Sequence, residues 1–547
     1  MTAASRWKQW AADQWLDLVV MAAVGGAFLF TVAAVVPWHM DEFLGYHHLA
    51  CKWYPGNMAN TFRSSCTELG LAPWGGTMLP LRSYTYSGSL PGLLYLPIFA
   101  LWPSPLSARL LGILAIAAQS LLLHRVFGVR PAVNFFVLLS FLSYSAIQVF
   151  DLGPICLQLT LQVAIYCVLR RWRASAAARL RYQALYPLAI GLMAFIGVWN
   201  KVAFFFVVPS LALLVVALTF DPATAPTAPT ATPTGTPTGS RPALRRLAAG
   251  AVGAAAFAVP TLALLFSKTA AGLPYHSVIT GAPVLFDYLA IKQRFTGVLL
   301  PFLINPLRSS HLIMRDPRPV TGTGLVLVGL IAATLVYGFV VARRRADGSS
   351  RRALWLVAGW VVSIALVALS AKSHAAHHVQ LGLPFLILAL YELLAPLSGR
   401  RLVCLLVVLF VLLNSLLYLQ FVELRHEGIT SRASRDLETM NDALNERFAE
   451  RYLIVCIDWG FYYLKSLYGP PEQAVVHFWG LKRPAQLRAV QATADRLGRK
   501  LLFVGWDQGS RSDWKMIVGE IDGLREELPA WDGGRWRLAF EPAEASQ

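Results

Sequence analysis

Long apolar runs separated by short polar stretches occupy residues 1–421 of the chain. A helix needs about 20 mostly apolar residues to cross the hydrocarbon core of a bilayer, and eleven stretches approach this length. The predicted spans are 16–36, 106–124, 131–149, 154–169, 184–199, 202–219, 247–267, 322–342, 353–371, 379–397 and 402–421. The pattern therefore predicts an all-α polytopic membrane region over residues 1–421.

One further apolar stretch, residues 89–103, is short and is interrupted by Pro91, Pro97 and Pro103. If it crossed the membrane, every later loop would change sides and the arginine clusters would lie outside, against the usual cytoplasmic preference of Lys and Arg. We therefore predict an interfacial or re-entrant juxtamembrane helix there, inside a first exterior loop of 37–105. The Pro/Thr/Gly-rich stretch 221–242 is predicted to be a flexible cytoplasmic linker.

Residues 422–547 consist of short segments of the soluble type instead of membrane-length runs. Three runs have the length of buried strands, and helical patterns alternate with them. The predicted helices are Leu437–Arg451 and Pro484–Leu497, and the predicted strands are Leu453–Ile457, Ala474–Phe478 and Lys500–Val504. This order predicts a small C-terminal α/β domain.

Composition and charge agree with a membrane protein. Of the 547 residues, 56% are hydrophobic and 14% are charged, against about 25% charged in soluble domains. The net charge is +18, and the first 422 residues hold 31 basic against 11 acidic residues, mostly in short loops. This excludes an ordinary soluble enzyme and a disordered chain, and it indicates a topology signal instead of a nucleic-acid-binding surface. With the arginine clusters in the cytoplasm, we predict a multi-pass bacterial inner-membrane protein with a cytoplasmic N-terminus and an exterior C-terminal domain.

Two of the six cysteines, Cys51 and Cys66, share the first exterior loop on the oxidising side of the membrane. A disulfide between them and a pair of free thiols are both consistent with this position. No Cys/His spacing in the chain resembles a zinc site.

Ionisable residues converge on the predicted exterior face. Asp41 and Glu42 follow the first span, Asp151 lies in a short loop, and Lys201 and Lys372 stand at the ends of spans. A carboxylate pair at a membrane surface is costly to desolvate without a partner or a task. Cations that bind a lipid phosphate, with a carboxylate that takes a proton from a hydroxyl, would explain this arrangement. Water-solvated carboxylates and a snorkelling lysine are the alternative explanation.

Four short motifs occur in order along residues 10–420. They are Asp41-Glu42, Ser89-Leu-Pro-Gly-Leu-Leu-Tyr95, the turn Gly191–Lys201, and the segment His374–Pro384, which includes His377 and His378. Their order and spacing resemble the GT-C superfamily of membrane glycosyltransferases, especially the branch with protein O-mannosyltransferases and the lipid A aminoarabinose transferase. This chain departs from the pattern at Gly92, where the family has a second proline, and at Asn200 and Val202 around Lys201.

The resemblance implies a GT-C-like fold and a glycosyltransferase (EC 2.4 class) that transfers a sugar, with inversion, from a polyprenyl-phosphate donor to a lipid, glycan or protein acceptor on the exoplasmic face. It implies that Asp41 is the general base and that Glu42 assists or positions it. Asp151 would orient the acceptor, or would bind a divalent cation (Mg or Mn) together with Asp41. The implied ligands of the donor phosphate are Lys201, Lys372, His377 and His378, with Arg82 and Arg109 as weaker candidates and ordinary snorkelling the favoured role of Arg109.

Two other functions remain open at this point. A transporter or flippase of lipid-linked or small polar substrates would need polar residues midway along the spans, whereas the residues above lie mainly at the outer ends. A non-enzymatic scaffold whose exterior domain binds partners would leave the clustered carboxylates without a role.

Overall fold

The protein is described here by a computed structural model. The residues that it describes are 3–36, 38–43, 45–46, 71–74, 77–80, 82–84, 87–150, 154–174, 180–220, 241–267, 287–294, 318–345, 348–370, 376–426, 433–434, 437–448, 450–457, 461–470, 473–477, 484–506, 514, 519–521, 523–527 and 536–542. Cys51, Cys66, Asp151, Lys372, His374 and most of the predicted linker 221–242 lie outside these residues, so the predictions for them stay predictions.

The described residues of each of the eleven predicted spans lie mainly in helices, and the chain is a multi-pass membrane protein of mostly helical structure with a small mixed sheet. The helices of this region are α1 (Ala3–Phe28), α2 (Leu90–Leu101), α3 (Pro105–Phe127), α4 (Pro131–Ser140), α5 (Leu142–Val149), α6 (Pro154–Ala174), α7 (Leu180–Asn200), α8 (Val208–Phe220), α9 (Arg241–Phe266), α10 (Tyr288–Arg294), α11 (Arg318–Arg343), α12 (Ser349–Leu369), α13 (Ala376–Val379), α14 (Leu383–Leu394) and α15 (Arg401–His426). Among the described residues, seven helices are long and apolar enough to cross a bilayer, and an eighth is added if the bent pair α4–α5 counts as one span.

The predicted single span 131–149 is broken, and α4 and α5 meet at an angle of 86°. Phe141 leaves the helical conformation with φ −70° and ψ 91°. The backbone N–H of Leu142, which the break removes from the helical ladder, donates instead to Asn414 Oδ1 on α15 at 3.3 Å. A polar side chain from a distant helix thus stabilises the bend by satisfying a buried backbone donor.

The predicted juxtamembrane helix 89–103 is observed as α2, followed at once by α3. Ser104 Oγ caps α3 by accepting from the N–H of Leu106 at 3.3 Å, and Pro105 fills the first helical position, where the missing N–H costs nothing. Four short strands precede α2 in the predicted first exterior loop, as two hairpins: β2 (Leu71–Trp74) with β3 (Thr77–Pro80), and β4 (Arg82–Tyr84) with β5 (Ser87–Gly88). A still earlier strand, β1 (Trp38–His39), pairs with β6 (Ala433–Ser434), which follows α15.

The C-terminal region is an α/β sandwich, as predicted. A five-stranded sheet has the order β10-β11-β9-β7-β8, with β7 parallel to β8 and β9 and the other pairs antiparallel. Its strands are β7 (Tyr452–Cys456), β8 (Ala474–His477), β9 (Lys500–Trp506), β10 (Arg525–Glu527) and β11 (Trp536–Phe540), and its helices are α16 (Leu437–Phe448), α17 (Phe461–Tyr468) and α18 (Pro484–Leu497). The strands β10 and β11 were not predicted, because β10 is only three residues long and polar and β11 carries an arginine within its apolar pattern.

Candidate active site

The acidic pair predicted from the sequence lies in a tight turn just beyond the first span. The span ends in a π-helical turn, Leu29–Ala33, and a 3₁₀ turn, Met40–Phe43, follows. Glu42 in this turn is 3% exposed, and Arg109 of α3 binds both of its oxygens: Nε donates to Oε2 at 2.8 Å and Nη2 donates to Oε1 at 2.7 Å. This bidentate geometry is the strongest form of a guanidinium–carboxylate contact.

The remaining donor group of Arg109, Nη1, binds the end of the first span, next to the Glu42 carboxylate. Nη1 donates to the carbonyl oxygens of Ala33 and, at 2.7 Å, of Val36, which the end of the helix leaves without intrahelical partners. The ring of Trp38 lies 3.8 Å from the guanidinium carbon. Arg109 is 1% exposed, so the snorkelling role favoured from the sequence is wrong. Sequence reasoning missed this pairing, although an arginine within an apolar helix should have prompted a search for a carboxylate partner.

Lys201 lies between α7 and the 3₁₀ turn Val202–Phe206, in extended backbone with φ −158° and ψ 129°. Its backbone forms an antiparallel bridge with Ser87 of β5, and its carbonyl oxygen accepts from Gln158 Nε2 at 2.8 Å. Gly88 is required beside this bridge, because a Cβ there would lie 2.3 Å from the carbonyl oxygen of Trp199. The side chain of Lys201 is buried, with an exposed fraction of 4%. The strand β5 before α2 therefore holds the backbone of Lys201 in place.

His378 is the described member of the predicted histidine cluster. It is 7% exposed, and its ring lies 5.8 Å from the ring of Phe206, which follows Lys201 by five residues. Gln380, two residues further on, donates to the carbonyl oxygen of Ser143 at 3.1 Å and fixes this turn against α5. Lys201 and His378 thus belong to one neighbourhood.

The juxtamembrane helix α2 connects that neighbourhood with the acidic turn. It starts directly after the strand that pairs with Lys201, and its Tyr95 ring packs 4.7 Å from the ring of Tyr46, four residues beyond Glu42. Tyr95 is completely buried and shares hydrogen bonds with Ser107 Oγ at 2.6 Å and with Tyr468 of α17 at 2.8 Å. The acidic turn and Lys201 therefore lie at the same end of the helix bundle.

The C-terminal region packs directly on the acidic turn. Tyr468 meets the ring of Phe43 edge-on at 5.6 Å, and β6 pairs with Trp38 and His39 through the register Trp38 to Ser434. Glu438 of α16 hydrogen-bonds Trp38, and burial together with the charge of Asp442 raises the pKa of its carboxyl group. The turn that carries Asp41 and Glu42 is thus held by Arg109 of α3 on one side and by the C-terminal domain on the other.

The remaining predicted site residues are located only in part. The backbone of Asp41 lies in the 3₁₀ turn, that of Arg82 in β4 and that of His377 in α13, while their side chains lie outside the described residues. Among the residues that the structure does describe, no three His, Cys, Asp or Glu side chains are grouped closely enough to hold a metal ion. The divalent cation predicted at Asp41 and Asp151 therefore stays a prediction.

Comparison with known proteins identifies the fold. No protein-family model matches the chain, and no curated protein matches it in sequence. Among solved structures, the chain is similar to ArnT from Cupriavidus metallidurans bound to undecaprenyl phosphate, with a TM-score of 0.56, 14% sequence identity, and coverage of 96% of this chain and 98% of ArnT. The apo state of the same protein aligns over 97% of this chain and 98% of its own, with a TM-score of 0.46 and 14% identity. The likeness at a TM-score of 0.56 shows that the chain shares the fold of this polytopic membrane protein over nearly its whole length, in agreement with the predicted fold class.

Proposed function

We propose that this protein is a glycosyltransferase that moves a sugar from a polyprenyl-phosphate donor to an acceptor hydroxyl at the exoplasmic face of the membrane. The observation that carries the proposal is the acidic turn, which is built into the protein interior by the Glu42–Arg109 pair at the end of the bundle that also holds Lys201. The full-length similarity to ArnT, which was solved with bound undecaprenyl phosphate, supports a donor of this lipid class.

The two carboxylates of the turn take different roles in this proposal. Both oxygens of Glu42 accept hydrogen bonds from Arg109, so Glu42 is a positioning residue that fixes the backbone of the turn. Asp41, its neighbour in the same turn, is the general base that takes the proton of the acceptor hydroxyl as that oxygen attacks the sugar. The new bond joins the acceptor oxygen to the anomeric carbon, and the bond from that carbon to the phosphate oxygen breaks on the opposite face. Inversion and release of polyprenyl phosphate follow.

Cationic groups near the turn stabilise the departing phosphate. Lys201 and His378 are both buried at that end of the bundle, where the positive charge of Lys201 and a ring N–H of His378 would act on a phosphate more strongly than they would in water. Lys372, His377 and Arg82 are assigned to the same phosphate by their sequence positions, and Asp151 to the acceptor. Arg109 leaves this group of ligands, because its donors already serve Glu42 and two carbonyl oxygens.

The transport alternative receives little support from the polar groups inside the bundle. The best-defined cluster joins Tyr144, Gln119, Gln148 and Thr160 by hydrogen bonds of 2.7–2.8 Å among themselves. These groups are neutral and satisfy one another, as is typical of helix packing in membranes. A substrate that crossed proteoliposomes without chemical change would favour transport over transfer.

The proposal is tested with Asp41→Asn, which keeps the shape of the side chain and removes the base. In a strain that expresses the variant, we expect sugar-modified lipids or envelope glycans, measured by mass spectrometry against a deletion strain, to fall by about 10²–10⁴-fold. The matched control is Asp17→Asn, the same change near the other end of the first span, Gln14–Ala33, where Asp17 pairs with Arg130. Products at the wild-type level in Asp41→Asn, with normal expression, would contradict the mechanism.

A further inference from the structure

A cavity of about 230 Å³ lies where the juxtamembrane helix meets the C-terminal domain. The membrane side of its wall is Phe99 and Ser104, at the end of α2 and the start of α3. The other side comes from α16, with Glu438, Asn441 and Asp442, and from α17, with Tyr468. The cavity adjoins the acidic turn but is a different place from it, and sugar transfer as proposed above does not use it.

The polar groups of the cavity wall are mostly hydrogen-bond acceptors. Glu438 and Asp442 are four residues apart on α16, and so they occupy the same face of the helix. Asn441 is 3% exposed, and its Nδ2 is directed at Asp442 Oδ1 at 3.3 Å and the Tyr468 carbonyl oxygen at 3.5 Å. Because both of these partners are acceptors, they fix which end of the amide is the nitrogen, and Oδ1 of Asn441 is left as the acceptor to be satisfied. This oxygen is buried without a hydrogen-bond partner in the described part of the chain.

The charges of the described residues around the cavity are mostly negative. Among these residues, Lys465 of α17 is a buried cation, and burial lowers the pKa of its amine to about 7. The other cation near Glu438 is Arg109, which is already bound to both oxygens of Glu42. The cavity wall therefore contains two exposed carboxylate side chains, Glu438 and Asp442, and Asn441, whose amide oxygen is buried without a partner in the described part of the chain. An unmet buried acceptor costs about 1–3 kcal/mol.

We propose that this cavity binds a protonated amine. Its ammonium group donates to Glu438, Asp442 and Asn441 Oδ1, and the rings of Tyr468 and Phe99 in the wall favour a cation further. The cavity is smaller than the roughly 300–1,000 Å³ of sites for drug-sized ligands, so it admits a small amine or the headgroup of an aminolipid and not a whole sugar–lipid. Because the cavity lies beside the juxtamembrane helix, both a soluble amine and a lipid headgroup can reach it.

The test uses the full-length protein in nanodiscs of phosphatidylglycerol, a lipid without an amine. Ethanolamine is titrated calorimetrically, with ethylene glycol as a neutral probe of the same skeleton. We expect saturable binding of ethanolamine only, weakened at least tenfold by Glu438→Gln/Asp442→Asn, which corresponds to about 1.4 kcal/mol. Asn441→Asp adds a charge at the orphaned acceptor and should tighten binding. Glu446→Gln, on the exposed surface of the same helix and outside the cavity wall, is the matched control and should leave the affinity unchanged.

A second arm identifies the source of the amine. Phosphatidylethanolamine is added to the nanodiscs, and the lipid retained by wild type and by the double variant is counted by native mass spectrometry. If wild type retains phosphatidylethanolamine and the double variant does not, the site binds a lipid headgroup. If only free ethanolamine binds, the site takes a soluble amine. The proposal is overturned if ethylene glycol binds equally, if neither amine binds, or if Ca²⁺ alone saturates the site. Because every readout is binding, these results are independent of the outcome for Asp41→Asn.

Discussion

Two buried carboxylates, one at each end of the helix bundle, have different surroundings. Glu42, at the end that carries the acidic turn, is bound by one arginine, and the side chains of Arg109 and Glu42 are 0% and 3% exposed. Glu392 of α14, at the opposite end, is bound by Arg170 at 2.5 Å and Arg352 at 2.8 Å, and it also accepts from the hydroxyl of Tyr166.

The two ends differ in charge: one carboxylate joins helices, and the other lies in the turn to which the proposed function assigns the chemistry. Glu392 joins α6, α12 and α14, and two guanidinium groups against one carboxylate leave that cluster with a positive excess. At the other end, Arg109 matches Glu42 alone, and Asp41 in the same turn adds a second carboxylate. In the first arrangement the carboxylate holds three helices together, whereas the second lies beside Asp41, the residue that the proposed function uses as the general base.

The largest effect is expected from Arg109→Met. This change leaves Glu42 buried without a counter-ion and removes the donors to the end of the first span, so we expect a loss of about 3–5 kcal/mol in the free energy of unfolding. Arg109→Lys should have an intermediate effect, because one ammonium group cannot reproduce the bidentate contact. Unfolding in mixed detergent micelles, followed by tryptophan fluorescence, measures both.

The double variant Glu42→Gln/Arg109→Met tests the origin of that loss. If the uncompensated carboxylate causes it, the double variant should recover part of the stability while product formation stays low, because the turn has lost its anchor. Equal stability of wild type and Arg109→Met would mean that the pair does not hold the turn.

A smaller effect on stability is expected from Glu392→Gln. The variant leaves Arg170 and Arg352 without the negative charge between them. Their side chains are 26% and 12% exposed, so water can solvate part of their charge, and we expect the free energy of unfolding to fall by about 1–3 kcal/mol. The amount of product per folded molecule should not change, since this cluster lies at the end of the bundle away from the acidic turn. A drop in product with unchanged stability would reverse the roles assigned to the two ends.

The sequence was sufficient for elements whose determinants are local. The helix α18 has the predicted ends, Pro484 and Leu497, because proline favours the first helical position and Gly498 takes up the left-handed conformation, φ +62°, that ends a helix. The strands β7, β8 and β9 followed equally from short apolar runs. Likewise, the scarcity of acidic residues in the membrane region was enough to single out the turn at Asp41 and Glu42.

The sequence was insufficient wherever a distant residue decides the local structure. The break at Phe141 depends on Asn414, 272 positions away, and the ion pair of Glu42 joins residues 67 positions apart. Lys201 was predicted at the end of a span, but its bridge to Ser87 depends on the path of the chain before α2. A hydropathy pattern contains no information about such pairs, because it records the character of each position and not its partner.

The smallest effect is expected at a third carboxylate, Glu527 of β10, which forms a bidentate pair with Arg447 of α16 at 2.9 Å. Here the side chains are 30% and 44% exposed, so the pair should contribute only about 0.2–1 kcal/mol. Hydrogen exchange of the full-length protein over residues 525–527 measures this contribution, with Glu527→Gln as the variant. Added salt should reduce the difference between wild type and variant, since exposed charges are screened.

The pH dependence of this pair has a definite sign. The hydrogen bonds and charge of Arg447 lower the pKa of the Glu527 carboxyl group, so the folded state holds its charged form more strongly than the unfolded state does. The contribution is therefore complete at neutral pH and is lost as the pH falls through the lowered pKa, while Glu527→Gln should show no such loss at residues 525–527. If wild type and variant respond alike to acid and to salt, the exposed Glu527–Arg447 pair contributes nothing measurable to stability. The contrast among the three carboxylates is then sharper, because burial alone separates Glu42 and Glu392, which stabilise the fold, from Glu527, which does not.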